Sequence, residues 1–125
     1  MPHLVIEYTG NLGAAFDPDA ALRAANASLI ASGVFEPDHI KSRAVALAHF
    51  RVGDHDAGQA SGYAFIHAEL RLHDGRSVET RQALGRGVAN ALQSVCRDKP
   101  GLHVQITVEV LELQRAFYIK AGSEG

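Results

Sequence analysis

A proline stands second in the chain, directly ahead of an alternating apolar run, in Met1 Pro2 His3 Leu4 Val5 Ile6 Glu7 Tyr8 Thr9 Gly10 Asn11. A small second residue favours removal of the leading methionine. What then remains at Pro2 is a secondary amine held at the start of a strand by ladder bonds and buried side chains. Such a nitrogen takes and returns protons without riding on a mobile side chain. Burial and neighbouring cations both disfavour its ammonium form, which makes it a neutral base near pH 7. The same residue also has a plain structural reading, because proline is tolerated at a first strand position that needs no ladder donor.

Two groups of cations sit where a carboxylate would be recognised. Gly75 Arg76 Ser77 falls at a strand-to-helix junction, where the positive end of the helix adds to the guanidinium. Ile40 Lys41 Ser42 Arg43 falls at the entry to a strand. Arginine offers a planar fork for bidentate contact. Read instead as surface charge, these residues would form ion pairs, as Arg81 would with Glu79 or Asp74.

Other chemistries have little support. The seven histidines, His3, His39, His49, His55, His67, His73 and His103, include no i, i+4 helical pair. His49, Asp54, His55 and Asp56 make only a loose polar group, so no metal site is expected. Gly-x-Ser-x-Gly is absent, and Ser77 reads as a helix cap. Cys96 is the single cysteine. It therefore has no intrachain disulfide partner, and beside Val95 in a predicted helix it reads as an inert buried thiol.

The elements that must position these groups follow from periodicity. Leu4, Ile6 and Tyr8 alternate with His3, Val5 and Glu7, predicting a first strand. Gly10 to Gly13 is a turn, and Asp17 caps a helix with Pro18 at its first position. Leu22, Ala25, Leu29 and Ser32 follow at helical spacing, and Gly33 ends it. A second strand is expected over 40–52. Its stretch from Ala44 to Ala48 is apolar throughout and therefore predicted to be buried on both faces. The polar, glycine-rich stretch 53–62 is a surface loop.

Tyr63 to Leu72 alternates again, with Ala64, Ile66, Ala68, Leu70 and Leu72 on one face. Ser77 caps a second helix carrying Leu84, Val88, Ala91, Leu92 and Val95, ended by Lys99 Pro100 Gly101. A last strand runs from His103 to Leu113 with Val104, Ile106, Val108 and Val110 inward. The order is thus two β-α-β pseudo-repeats, about 1–60 and 61–125, in a single domain of α/β (α+β) class. Each repeat is expected to contain parallel strands, with both helices on one face of a four-stranded sheet. The other face would have no cover within the chain, which predicts self-association.

Length and composition agree with one small globular domain: 125 residues, 46% apolar, formal charge −2. The cations are scattered, which speaks against nucleic acid as the main partner. No run reaches the length of a membrane span, and the N-terminus lacks the basic and apolar segments of a signal peptide. A cytoplasmic location is the expectation.

Several pieces together resemble the 5-carboxymethyl-2-hydroxymuconate isomerases of the tautomerase superfamily. They are Pro2 His3 with Glu7 and Asn11; Ser32 Gly33 Val34 Phe35; Ile40 Lys41 Ser42 Arg43; and Tyr63 Ala64 Phe65 Ile66 His67. Gly75 Arg76 Ser77 Val78 Glu79 Thr80 Arg81 Gln82 and the late strand with Glu109, Glu112 and Leu113 complete the series. The resemblance implies a tautomerase-like fold, a homotrimer with a central barrel of sheets, and cofactor-free ketonisation of a dienol acid. Under it Pro2 is the base and Arg76 the strongest catalytic cation, with Lys41 and Arg43 as weaker substrate-binding candidates. The substrate would be an unsaturated 2-hydroxy or 2-oxo dicarboxylic or tricarboxylic acid from aromatic-compound breakdown. Lys41 stands where the family favours arginine, and the loop 53–62 and the tail after Leu113 match poorly. The alternative, if Met1 is retained, is a trimeric carboxylate-binding or structural protein without catalysis.

Overall fold

The computed structural model describes residues 1–123. Four strands form one mixed sheet: β1 (His3–Thr9), β2 (Lys41–Leu47), β3 (Tyr63–His73) and β4 (His103–Leu113). Two helices, α1 (Pro18–Ala31) and α2 (Val78–Val95), connect the strands of each half. The spatial order is β2-β1-β3-β4. β1 runs parallel to β2 and β3 parallel to β4, while β1 and β3 meet antiparallel. Both β-α-β units expected from the pattern are present, joined through the two central strands. No helix among the described residues is long and apolar enough to cross a membrane.

The alternation sets which face is buried. Leu4 and Ile6 of β1 and Ile66, Ala68, Leu70 and Leu72 of β3 are fully buried, together with Ala21, Ala25 and Leu29 of α1 and Val88 and Leu92 of α2. These residues belong to one core between the sheet and the helix pair. Each buried leucine there contributes about 1.5 to 3 kcal/mol by leaving water. Asp17 caps α1 by accepting from the Asp19 and Ala20 N–H groups, and Ser77 caps α2 by accepting from Thr80. The helices approach closely at Gly87, where an added Cβ would lie 2.5 Å from Ser28 Oγ.

Three expectations need correction. The Ala44 to Ala48 stretch is not buried on both faces. β2 is an edge strand ending at Leu47, and Val45 remains 46% exposed. An apolar edge strand reads like a central one, because composition reports the absence of charge and not the presence of neighbours. The open sheet face is also less apolar than expected, since Glu7, Arg43, His67, Glu69 and Glu109 share it with Val5 and Val45. Finally, α2 stops at Val95, so Cys96 is its C-cap and not an interior residue, bridging to Phe16. Burial, with Asp98 adding to it, raises the Cys96 thiol above its usual pKa, which keeps it protonated.

The 53–62 loop is tethered more firmly than its composition suggests. Asn11 donates through Nδ2 to the carbonyls of Ser61 (3.3 Å) and Tyr63 (2.9 Å). His55 stacks on Tyr63 at 4.0 Å between centroids, and Tyr63 on His103 at 5.2 Å.

Candidate active site

Pro2 is fully buried at the head of β1, and its carbonyl accepts from the Lys41 N–H at 3.1 Å. The parallel ladder thus reaches back to the second residue, which fixes the proline ring and directs what lies on its nitrogen. That group is Met1, which enters a cavity of about 590 Å³. Its walls come from four parts of the chain: Val34, Phe35 and Glu36 after α1, His39 and Lys41 at the start of β2, His73 and Arg76 after β3, and the C-terminal segment beyond β4.

Charge distinguishes this cavity. Lys41, Arg76, Arg115 and Lys120 line it together with the Met1 amine, against the single carboxylate of Glu36. Burial lowers the pKa of that amine, with Lys41 and then Lys120 adding to the effect. The concentration of positive charge suits an anion with more than one carboxylate.

Arg76 is held from below and left open above. Its Cζ sits 5.2 Å from the centroid of the Phe35 ring, a cation–π contact. Its Nε is buried without a partner among the described residues. A buried guanidinium nitrogen without an acceptor is costly, and a ligand carboxylate would relieve that cost. Lys41 is at the rim, its Nζ donating to the carbonyls of Asp38 (3.1 Å) and His39 (3.3 Å).

The structure thus brings Lys41 and Arg76 together around the amino end, but does not place Arg43 on the cavity wall. Arg43 Nη1 lies 3.2 Å from His3 Nδ1, and His3 Nε2 lies 2.9 Å from the Tyr118 hydroxyl. With the guanidinium as donor, Nδ1 must be the acceptor, leaving Nε2–H to donate to Tyr118. Burial lowers the His3 pKa most, followed by Arg43, the terminal amine, Lys41 and Arg71, in agreement with this neutral tautomer. Arg81 pairs with Glu112 at 3.1 Å and not with Glu79 or Asp74, while Asp74 lies 3.7 Å from Arg115.

Sequence reasoning missed His73, Arg115, Tyr118 and Lys120 as cavity residues. His73 faces Tyr118 edge-on at 5.2 Å, and its pKa is lowered by burial first and then by Arg115 and the terminal amine. The available signal for the tail was its interleaving of cations with aromatic residues in Arg115 Ala116 Phe117 Tyr118 Ile119 Lys120. For a metal ion, the described residues offer His67, Glu69 and Glu109, whose ligand atoms lie within 4.8 Å of one another. They do not line the cavity, and Glu69 is engaged by Arg71 at 3.2 Å and Glu109 by His67 at 3.7 Å.

Comparisons with known proteins identify the family and the fold. A sequence profile described as 5-carboxymethyl-2-hydroxymuconate isomerase matches residues 2–123. The chain is 33% identical over 85 residues to the 5-carboxymethyl-2-hydroxymuconate Delta-isomerase of Escherichia coli, a match covering 68% of this chain and 64% of that protein. The crystal structure of a 5-carboxymethyl-2-hydroxymuconate isomerase from Deinococcus radiodurans R1 superposes with a TM-score of 0.78 at 26% identity, covering 98% of this chain and 90% of that one. A fused 4-OT wild-type symmetric trimer shares the fold alone, with a TM-score of 0.59 at 19% identity over 88% of this chain and 85% of that one. The profile match spans nearly the whole chain, from Pro2 through the cationic positions to the tail, and the chain accordingly belongs to the 5-carboxymethyl-2-hydroxymuconate isomerase family.

Proposed function

We propose that the protein, once Met1 is removed, isomerises an unsaturated 2-hydroxymuconate-type acid to its 2-oxo isomer with Pro2 as the base. The observation that carries this reading is the position of the amino end: a proline locked by burial and by its ladder bond, directing its nitrogen into a cavity lined by cations. The Pro2 amine takes the proton from the 2-hydroxyl as the C2–O bond becomes a carbonyl. The double bonds shift along the chain, and the prolinium returns a proton to carbon. Atoms and electrons balance within the substrate, so the step needs neither an oxidant nor a cofactor. Arg76 binds a carboxylate and stabilises negative charge on the 2-oxygen. Lys41 assists at the rim, and Arg43 acts through His3. The cations that depress the Met1 amine would keep Pro2 neutral in the same way.

A homotrimer fits the sheet as well as the fold neighbour. The edge strand β2 presents Ala44, Val45, Ala46 and Leu47 with no charged gatekeeper among them, which favours cover by another subunit. Aromatic-compound catabolism in the cytoplasm is the setting this substrate class suggests, and one domain over residues 1–125 accounts for the single core.

The test is an ultraviolet assay of the Met1-free protein against Met1-retaining protein on 2-hydroxymuconate and its 5-carboxymethyl derivative. Turnover by the processed form and nearly none by the other is the expected result. Equal rates would exclude Pro2 as the base. Absence of turnover in both, with carboxylate binding intact, would favour the non-catalytic reading.

A further inference from the structure

We infer that Arg115 and Lys120 form a second anion-binding pole, set apart in the chain from Lys41 and Arg76, that selects acids carrying an additional carboxylate. The inference rests on the proposed site and names what distinguishes its substrate. Half of the cationic side chains of the cavity come from the eight residues after β4, a segment with no part in the sheet.

The segment is fastened where those cations are needed. Phe117 N–H donates to the Gln114 carbonyl and Tyr118 N–H to that of Arg115, closing a single 3-10 turn after β4. Arg115 is anchored by Asp74 at the end of β3, and Tyr118 by its hydroxyl to His3 and its ring to His73. Both anchors precede Lys120 and hold the segment against the cavity wall. The pole is made of tail residues only, so its substitution leaves Pro2, Lys41 and Arg76 in place. Lys120 also adds to the depression of the terminal amine pKa, which agrees with its place beside the amino end.

Because Arg115 is 64% exposed, each charge alone has a modest effect. The expected loss is about threefold in affinity per cation and about tenfold for both, the range of partly screened pairs.

The test measures binding of propane-1,2,3-tricarboxylate and of glutarate by calorimetry at fixed ionic strength. The proteins compared are the native protein, Arg115→Ala, Lys120→Ala, the double variant, and Arg23→Ala as a remote charge control on α1. The expected result is a tricarboxylate preference that falls about tenfold in the double variant and is unchanged in Arg23→Ala. A ratio of the two affinities that is the same in all five proteins would overturn the inference, as would an equal loss for both acids. The same variants assayed for turnover should raise KM for the 5-carboxymethyl acid more than for 2-hydroxymuconate. Because binding is read without catalysis, failure of the isomerase reading would show as absent turnover and leave the tail result standing on its own.

Discussion

The Tyr118 hydroxyl lies 2.9 Å from His3 Nε2, joining a residue near the end of the chain to the first residue of β1. Arg43, on the other side of the imidazole, fixes its proton on Nε2. The three side chains form a relay that sets the tail against the strand carrying Pro2.

Tyr118→Phe keeps the ring against His73 and removes the acceptor of the His3 N–H. The loss of one part-buried bond should cost about 0.5 to 1.5 kcal/mol. It should loosen the tail more than the core. Limited trypsin digestion at Arg115 and Lys120 checks this: cleavage there is expected to speed up while the sheet resists, and an unchanged rate would remove Tyr118 from the anchoring role.

Arg76→Ala should lower kcat/KM without unfolding the protein. Its side chain belongs to the cavity and not to the core, and the Ser77 cap of α2 stays in place. A carboxylate partner lost from an open cavity costs about 2 kcal/mol, the lower end for a charged pair of this kind. Kinetics and a thermal melt on the same preparation distinguish lost binding from lost fold.

The pH dependence has a definite sign. His3 and His73 have pKa values below 6.5, and the Met1 amine lies below 8.0. The unfolded chain therefore binds more protons than the folded one between each lowered value and the ordinary one. Stability rises with pH through that window and is lost as pH falls through the folded values. Thermal unfolding from pH 5 to 8 should show a rising Tm, with the slope reduced in His3→Asn and His73→Asn. A flat profile in the native protein would contradict the lowered pKa values of these half-buried histidines.

Asn11→Ala removes the two bonds that hold the start of β3 and the preceding loop. Two carbonyls lose their donor, one of them on the buried Ser61, and the expected cost is about 1 to 3 kcal/mol. Chemical denaturation measures it, and a stability within error of the native protein would mean that water replaces the amide.

The sequence made the sheet legible because period-two alternation is a local property. The buried set of β3, Ala64 to Leu72, follows directly from it. Arg76 was legible at the junction before α2 for the same local reason: cap, helix start and cation are adjacent in the chain. Exposure of the Ala44 to Ala48 run was not, since it depends on β1 taking β3 as its other neighbour and leaving β2 at the edge. The tail was invisible as a wall because its partners, Asp74, His3 and His73, lie far back in the chain and share no spacing with it.

The antiparallel meeting of β1 and β3 also decides how the protein breathes. Each half of the chain supplies one central strand, flanked on both sides by hydrogen-bonded neighbours, and one outer strand paired on a single side within the described residues of the subunit. Amide deuteration should therefore reach Leu4 to Ile6 and Ala68 to Leu70 last, at a rate set by opening of the seam between the halves. Neither half can shield its own innermost strand, so protection there belongs jointly to both.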